Sequence, residues 1–309
     1  MRVAHVRQLG GIDGVELAER PDPVPEAGQA LIRVRSVGVG PWDVGFVSGA
    51  ASGLPLPFVP GFEVAGIVDA VGDGLDVEPG DRVYASLWPN GGGFAELALV
   101  SAERLAPMPE GISFDDAAAL VIGGGTAYEG LVDRGRLRSG EAVLITAAAG
   151  GVGSAAVQIA AALGARPLAV ASRANHDYLR GLGAVEVFDY HDPDWATQVR
   201  AAIPGGVDLL LDGAGGQTRD QAIGAVRDGG RAVFIVLAGA PAHLERGITG
   251  ESFAARVTRQ RLESLSRLVE AGRLRPQVEG VLPLDQARDA LARVAGRHTR
   301  GKIVLEISK

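Results

Sequence analysis

The chain has 309 residues, enough for two domains that each bury a core, and its composition (47% hydrophobic, 22% charged) excludes a disordered or fibrous protein. A formal charge of −7, with Lys302 and Lys309 as the only lysines, leaves no basic tract to follow a phosphate backbone, so no nucleic-acid partner is expected. Cysteine is absent, which excludes disulfides and thiolate chemistry; with no signal-peptide core at the start and no run of about 18 apolar residues, the expectation is a cytoplasmic protein without a membrane partner.

Up to about residue 110, short strands alternate with Gly and Pro. They are predicted at Gln29–Val39, Phe62–Val71, Arg82–Leu87 and Phe94–Val100, as a partly open β-barrel or folded sheet. Ser113 followed by Asp116 resembles a capping box and opens a helix over Phe114–Leu120. Strands and helices then alternate: strands at Ala142–Thr146, Pro167–Ala171, Val185–Asp189, Val207–Asp212 and Arg231–Leu237, helices at Val152–Leu163, Asn175–Leu182, Trp195–Ala202 and Thr218–Val226. Runs such as AVLIT and VDLLLD are apolar on both faces, as in a covered parallel sheet, so the class is α/β with a doubly wound domain. Helices over Phe253–Ala271 and Leu284–Val294 and a strand over Lys302–Ile307 are too few for a domain and should pack back on the first. A cleft between two domains is expected. Arg231–Leu237, as the last strand of its sheet, would be a bare apolar edge, and pairing with a two-fold mate would cover it in a homodimer.

Strand AVLIT runs into Gly151-x-Gly153-x-x-Ala156 and then a helix, the context of a Rossmann dinucleotide fingerprint. Gly151 permits the tight turn, Gly153 lets the backbone approach a pyrophosphate, and Ala156 lets helix and strand pack closely; Gly150 and Val152 complete the phosphate loop. About twenty residues on, where a carboxylate would hold the ribose of NAD, the chain reads Ala171-Ser172-Arg173. A hydroxyl and a guanidinium suit a 2′-phosphate, so the expected cofactor is NADPH.

With PFVPGFEVAGIVDAVG at 57–72, PGDRV at 79–83, GGFAEL at 92–97, GTAYEGL at 125–131, the Gly-rich block at 147–165 and RGKIVL at 300–305, the chain resembles the medium-chain dehydrogenase/reductase superfamily, in its zinc-free quinone oxidoreductase and enoyl reductase branch. The resemblance implies a GroES-like catalytic domain at 1–112, completed by 253–309, and a Rossmann domain at 113–252. It also implies Thr126 near the nicotinamide, Tyr190 near the adenosine phosphate and the Arg300–Lys302 loop near the cofactor. Zinc-bearing members carry His and Cys in blocks that here present Phe62 and Gly40, so no metal is expected; Glu63 keeps the acidic position. Segment 40–58 lacks the tyrosine that some enoyl reductases use as proton donor, which leaves Tyr84, Tyr128 and Asp43, the last expected at the cleft mouth. Trp42, Phe46, Phe58, Trp88 and Phe253 are candidates for an apolar slot that takes a conjugated acceptor. The function expected is NADPH-dependent reduction of an activated double bond or quinone. The alternatives are a pathway-specific tailoring reductase or cyclase and a non-catalytic NADPH-binding protein.

Overall fold

Beyond Gln29, only Arg33 and Arg35 of strand Gln29–Val39 reach toward solvent, and the strand is paired along both edges. In the computed structural model, which describes residues 1–51 and 53–307, its antiparallel neighbours are Lys302–Glu306, Glu63–Val71 and Leu97–Ser101. The sheet is completed by Val278–Pro283, Arg82–Ser86 and Leu105–Pro107 to a total of 7 strands, and Arg2–Val6 pairs with Val15–Glu19 in a separate hairpin. These strands belong to a first unit made of Met1–Ile122, Val257–Glu270 and Pro276–Lys309. The closing strand thus returns to the N-terminal sheet, where Ile303–Glu306 lie against Val39–Ser36.

The second unit, Gly123–Arg256 with Ala271–Arg275, holds a parallel sheet of 6 strands. Their spatial order is Glu186–Phe188, Arg166–Val170, Ala142–Ile145, Val207–Asp212, Val226–Phe234, Thr249–Ser252. The order reverses between the third and fourth of these, the signature of a doubly wound sheet with its ligand crevice at that point. Leu144, Leu168, Val170, Leu210 and Phe234 from the strands pack with Trp195 and Val199 of helix Trp195–Ala202 in one buried cluster.

Four sequence expectations need correction. Ser113 does cap its helix, its Oγ accepting from Asp116 N at 3.1 Å, but that helix runs on through three glycines to Tyr128 and ends in a π-turn at Glu129–Arg134. The unit boundary falls inside it, because Glu63 of the first unit accepts from Ile122 N at 2.8 Å. The long C-terminal helix spans only Arg259–Glu270; Phe253 and Arg256 stay with the second unit, where Arg256 N donates to Glu129 at 3.0 Å. Arg231–Leu237 is not the sheet edge: Thr249–Ser252, whose four residues are all exposed, pairs parallel with Arg231–Phe234 and covers it.

Candidate functional site

The turn after strand Ala142–Ile145 is held in a conformation few L-residues adopt: Ala147 has φ 50°. Ala148 N donates to Val170 O at 3.2 Å, which ties the turn to the neighbouring strand. Helix Gly151–Ala162 follows from Gly150 with no side-chain cap. The first-turn N–H groups of Gly151, Val152 and Gly153, like those of any helix start, have no intrahelical acceptor, and with the positive end of the helix dipole they suit an anion. Gly153 is also required by packing within the chain. A Cβ there would overlap Ala147 O and Ala148 Cα, so the helix sits directly on its own loop. A Cβ at Gly123 would lie 3.0 Å from Gly151 O, so the glycine-bearing helix passes close over the same turn. Buried Thr126 follows Gly123 by one helical turn.

One strand over, Ala171 N donates to Phe188 O at 3.0 Å, which sets Ser172–Arg173 beside Asp189–His191. Arg173 is exposed and opens a short 3-10 turn; its guanidinium makes no ion pair among the described residues. Ser172 Oγ accepts from Asn175 Nδ2 at 3.0 Å. Burial tends to raise the Asp189 carboxyl, but hydrogen bonds from His191 and the main chain of Arg173 outweigh it and hold the group below its ordinary range. Asp189 Oδ1 accepts from His191 N at 3.0 Å and meets Nδ1 at 2.8 Å, and Tyr190, largely exposed, stacks on the His191 ring at 4.1 Å between centroids.

In the first unit the candidate acids are used for structure. Asp43, on helix Pro41–Ser48, is fully buried rather than at a cleft mouth: its two oxygens accept from Gly40 N and Gly61 N, each at 2.8 Å. Burial pushes its carboxyl up to about 7, against the opposing pull of those two amides and of Lys302. Tyr84 is equally enclosed; its hydroxyl meets Leu262 O and Ser266 Oγ on helix Arg259–Glu270, and burial pushes its pKa well above the phenolic norm. Lys302, expected near the cofactor, instead turns inward, with Nζ on Glu63 and on Val39 O at 2.8 Å and 4.6 Å from the centroid of the Trp42 ring. Arg300 beside it is exposed, and its main-chain N–H donates to Glu279. Tyr128 is half-buried at the end of its helix, and no hydrogen bond engages its hydroxyl among the described residues.

Of the proposed slot residues, the structure brings Phe58 and Trp88 together around Phe46, with Phe62 4.9 Å from the Phe46 ring and 5.1 Å from that of Trp88. Phe46 and Phe58 are spent on that packing and are buried. Phe253 is a core residue of the second unit, against Gly130 and under Arg134. A Cβ at Gly40 would overlap the Trp42 indole, so the indole occupies the ground a longer side chain at 40 would need. Among the described residues no three His, Cys, Asp or Glu side chains are grouped to hold a metal, and Asp43, Glu63 and Lys302 near Gly40 and Phe62 are already paired with each other or with main chain.

Residues 26–110 match the alcohol dehydrogenase GroES-like domain and residues 182–305 the zinc-binding dehydrogenase domain. The chain is 32% identical to the quinone oxidoreductase of Mus musculus over 99% of this chain and 97% of that protein. It is 31% identical to the synaptic vesicle membrane protein VAT-1 homolog of Rattus norvegicus over 96% of this chain and 82% of that protein. An NAD-dependent alcohol dehydrogenase superposes with a TM-score of 0.92 at 33% identity, covering 100% of both chains. The CurK enoyl reductase superposes at 0.90 with 27% identity, covering 99% of both, and a mycobacterial protein solved with NADPH at 0.90 with 28% identity, covering 99% of this chain and 100% of that one. Identity at this level along almost the whole of both chains places the protein in the medium-chain dehydrogenase/reductase superfamily, as an oxidoreductase of its quinone oxidoreductase-like branch.

Proposed function

We propose that the chain binds NADPH and reduces an activated carbon–carbon double bond or a quinone by hydride transfer, without zinc. One observation carries the reading: in a single sheet, an uncapped helix N-terminus at Gly151–Gly153 stands beside a strand end that offers the Arg173 guanidinium, which has no ion-pair partner among the described residues. The first suits a pyrophosphate and the second a 2′-phosphate, while Asp189, the carboxylate of that end, is already engaged by His191. Neighbours named for NAD and for NADPH share the fold, so the choice rests on Arg173.

The donor set does not fit a catalytic zinc, which takes three protein ligands: Gly40 and Phe62 offer none, and Trp42 fills the space beside Gly40. An alkoxide would then lack a strong stabiliser, which disfavours alcohol oxidation relative to reduction of an electrophilic double bond. Bound NADPH would supply the hydride, from C4 of its nicotinamide to the β-carbon of the acceptor. The chain's part is to hold the cofactor by its anions and to exclude water. Tyr128 is the remaining candidate for proton delivery, since Asp43 and Tyr84 are sealed in hydrogen bonds. That sealing is also what favours a second reading, cofactor binding without turnover. Assembly as a homodimer is proposed through the outer edge of Thr249–Ser252.

The test is a panel of enones, enoyl thioesters and quinones, run with zinc analysis of the same protein. The expected result is NADPH consumption with at least one class, far less than one zinc per chain, and no loss of activity to a chelator. Oxidation of simple secondary alcohols with no acceptor reduced, or a stoichiometric zinc whose removal abolishes activity, would overturn the proposal. NADPH binding without turnover on any acceptor would favour the second reading or a substrate confined to one pathway.

A further inference from the structure

Thr146 and Asp212 end the two neighbouring strands between which the sheet order reverses. Thr146 Oγ1 donates to Asp212 Oδ1 at 2.7 Å and accepts the N–H groups of Gly213 and Ala214 at 3.0 and 3.2 Å. Asp212 Oδ2 accepts from Gly215 N at 3.2 Å and from Arg219 Nε at 2.7 Å. Arg219, on helix Gly216–Ala225, is 1% exposed. Its two remaining nitrogens reach the segment after the next strand, Nη1 donating to Ala238 O at 3.0 Å and Nη2 to Val236 O. One planar guanidinium thus fixes the ends of two strands at once, which a lysine's single ammonium cannot do.

The clamped segment is not itself buried. Leu237, Ala238 and Gly239 are exposed while their backbone is held from below by a buried charge, at the usual desolvation cost of burying one. A rigid backbone at the C-terminal edge of a doubly wound sheet is where main-chain groups are presented to a ligand. A dinucleotide lies across the reversal point with one mononucleotide half on each side. Arg173 takes the adenosine side in the proposed function, which leaves Gly213–Gly215 and Ile235–Ala240 to the nicotinamide side.

We propose that the Thr146–Asp212–Arg219 network is the frame that fixes the nicotinamide half of the cofactor, with Arg219 a positioning residue that holds the 235–240 backbone and touches no cofactor atom. The inference rests on the reading that this chain binds NADPH.

Calorimetric titration of NADPH and of 2′,5′-ADP, which lacks the nicotinamide half, into wild type, Arg219→Lys and Thr146→Val tests it. Arg219→Lys keeps a charge against Asp212 but cannot span Val236 O and Ala238 O; Thr146→Val keeps the ion pair intact should the lysine variant not fold. The expected result is NADPH binding weakened about tenfold in Arg219→Lys and by less in Thr146→Val. Affinity for 2′,5′-ADP should stay at the wild-type level, and the fluorescence change of the reduced nicotinamide on binding should shrink in the variants. Loss of both ligands in parallel would mean a general structural role and overturn the proposal, as would unchanged NADPH binding in the folded variants. A wild type that binds neither ligand would overturn the NADPH reading and this inference with it.

Discussion

Arg173 and Asp43 are both charged side chains singled out for chemistry, and the structure gives them opposite environments. The Arg173 guanidinium stands exposed at a strand end with no ion-pair partner among the described residues, so a 2′-phosphate would meet no competitor. A charge-assisted hydrogen bond contributes about 1.5–3 kcal/mol, and each ~1.4 kcal/mol is tenfold in affinity. Arg173→Ala is therefore expected to weaken NADPH roughly ten- to a hundredfold and to leave NADH nearly unchanged, as titration of both cofactors would show. Part of the NADPH effect should fade with added salt, because an exposed charge is screened. Equal weakening of both cofactors would remove Arg173 from the recognition of the 2′-phosphate. The strand-to-helix glycine spacing was legible in the sequence because it depends on local backbone. The burial of Asp43 was not, because it depends on Gly61, eighteen residues away along the chain.

At the scale of elements, Asp43 joins helix Pro41–Ser48 to the turn at Gly61. Its carboxyl, at about 7 when folded, stands above the ordinary 3.8. Below pH ~4 both states are protonated. Between there and about pH 7 the folded state alone keeps the proton, so this contribution to stability declines as pH rises and has been lost above pH ~7. Asp43→Asn cannot titrate, so the stability margin of wild type over the variant is expected to narrow between pH 5 and pH 8, by up to about 3 kcal/mol. Denaturant unfolding at the two pH values measures it, and a margin that widens with pH would contradict the assigned direction. Elements with a continuous apolar run were legible from sequence, as at Val207–Asp212. Thr249–Ser252 carries no such signal: its four residues are exposed and polar, and it is a strand only because Arg231–Phe234 offers it a ladder. Helix Phe114–Tyr128 runs past Leu120, although glycines at 123–125 lower helix propensity, because tertiary packing against the Gly-rich turn favours small residues there.

For the whole molecule, the order of blocks along the chain made the two-unit architecture, the superfamily and the return of the C-terminal tail to the first unit readable, while the excursion of Ala271–Arg275 to the second was not. Val257–Glu270 crosses back to the first unit because Tyr84 bonds to Leu262 and Ser266, and Ala271–Arg275 returns to the second because Gln158 pairs with the Arg275 main chain at 2.9 and 3.0 Å. Both anchors join residues more than a hundred positions apart, beyond any local pattern. The central proposal is hydride transfer without zinc to the β-carbon of a conjugated acceptor, and isotope transfer tests it most directly. Metal-stripped protein would be incubated with NADPH deuterated at C4 and an enone, and the product analysed for the position of the label. The account predicts deuterium on the β-carbon of a saturated ketone. Deuterium on the carbinol carbon of an allylic alcohol, or transfer seen only after zinc is restored, would contradict it.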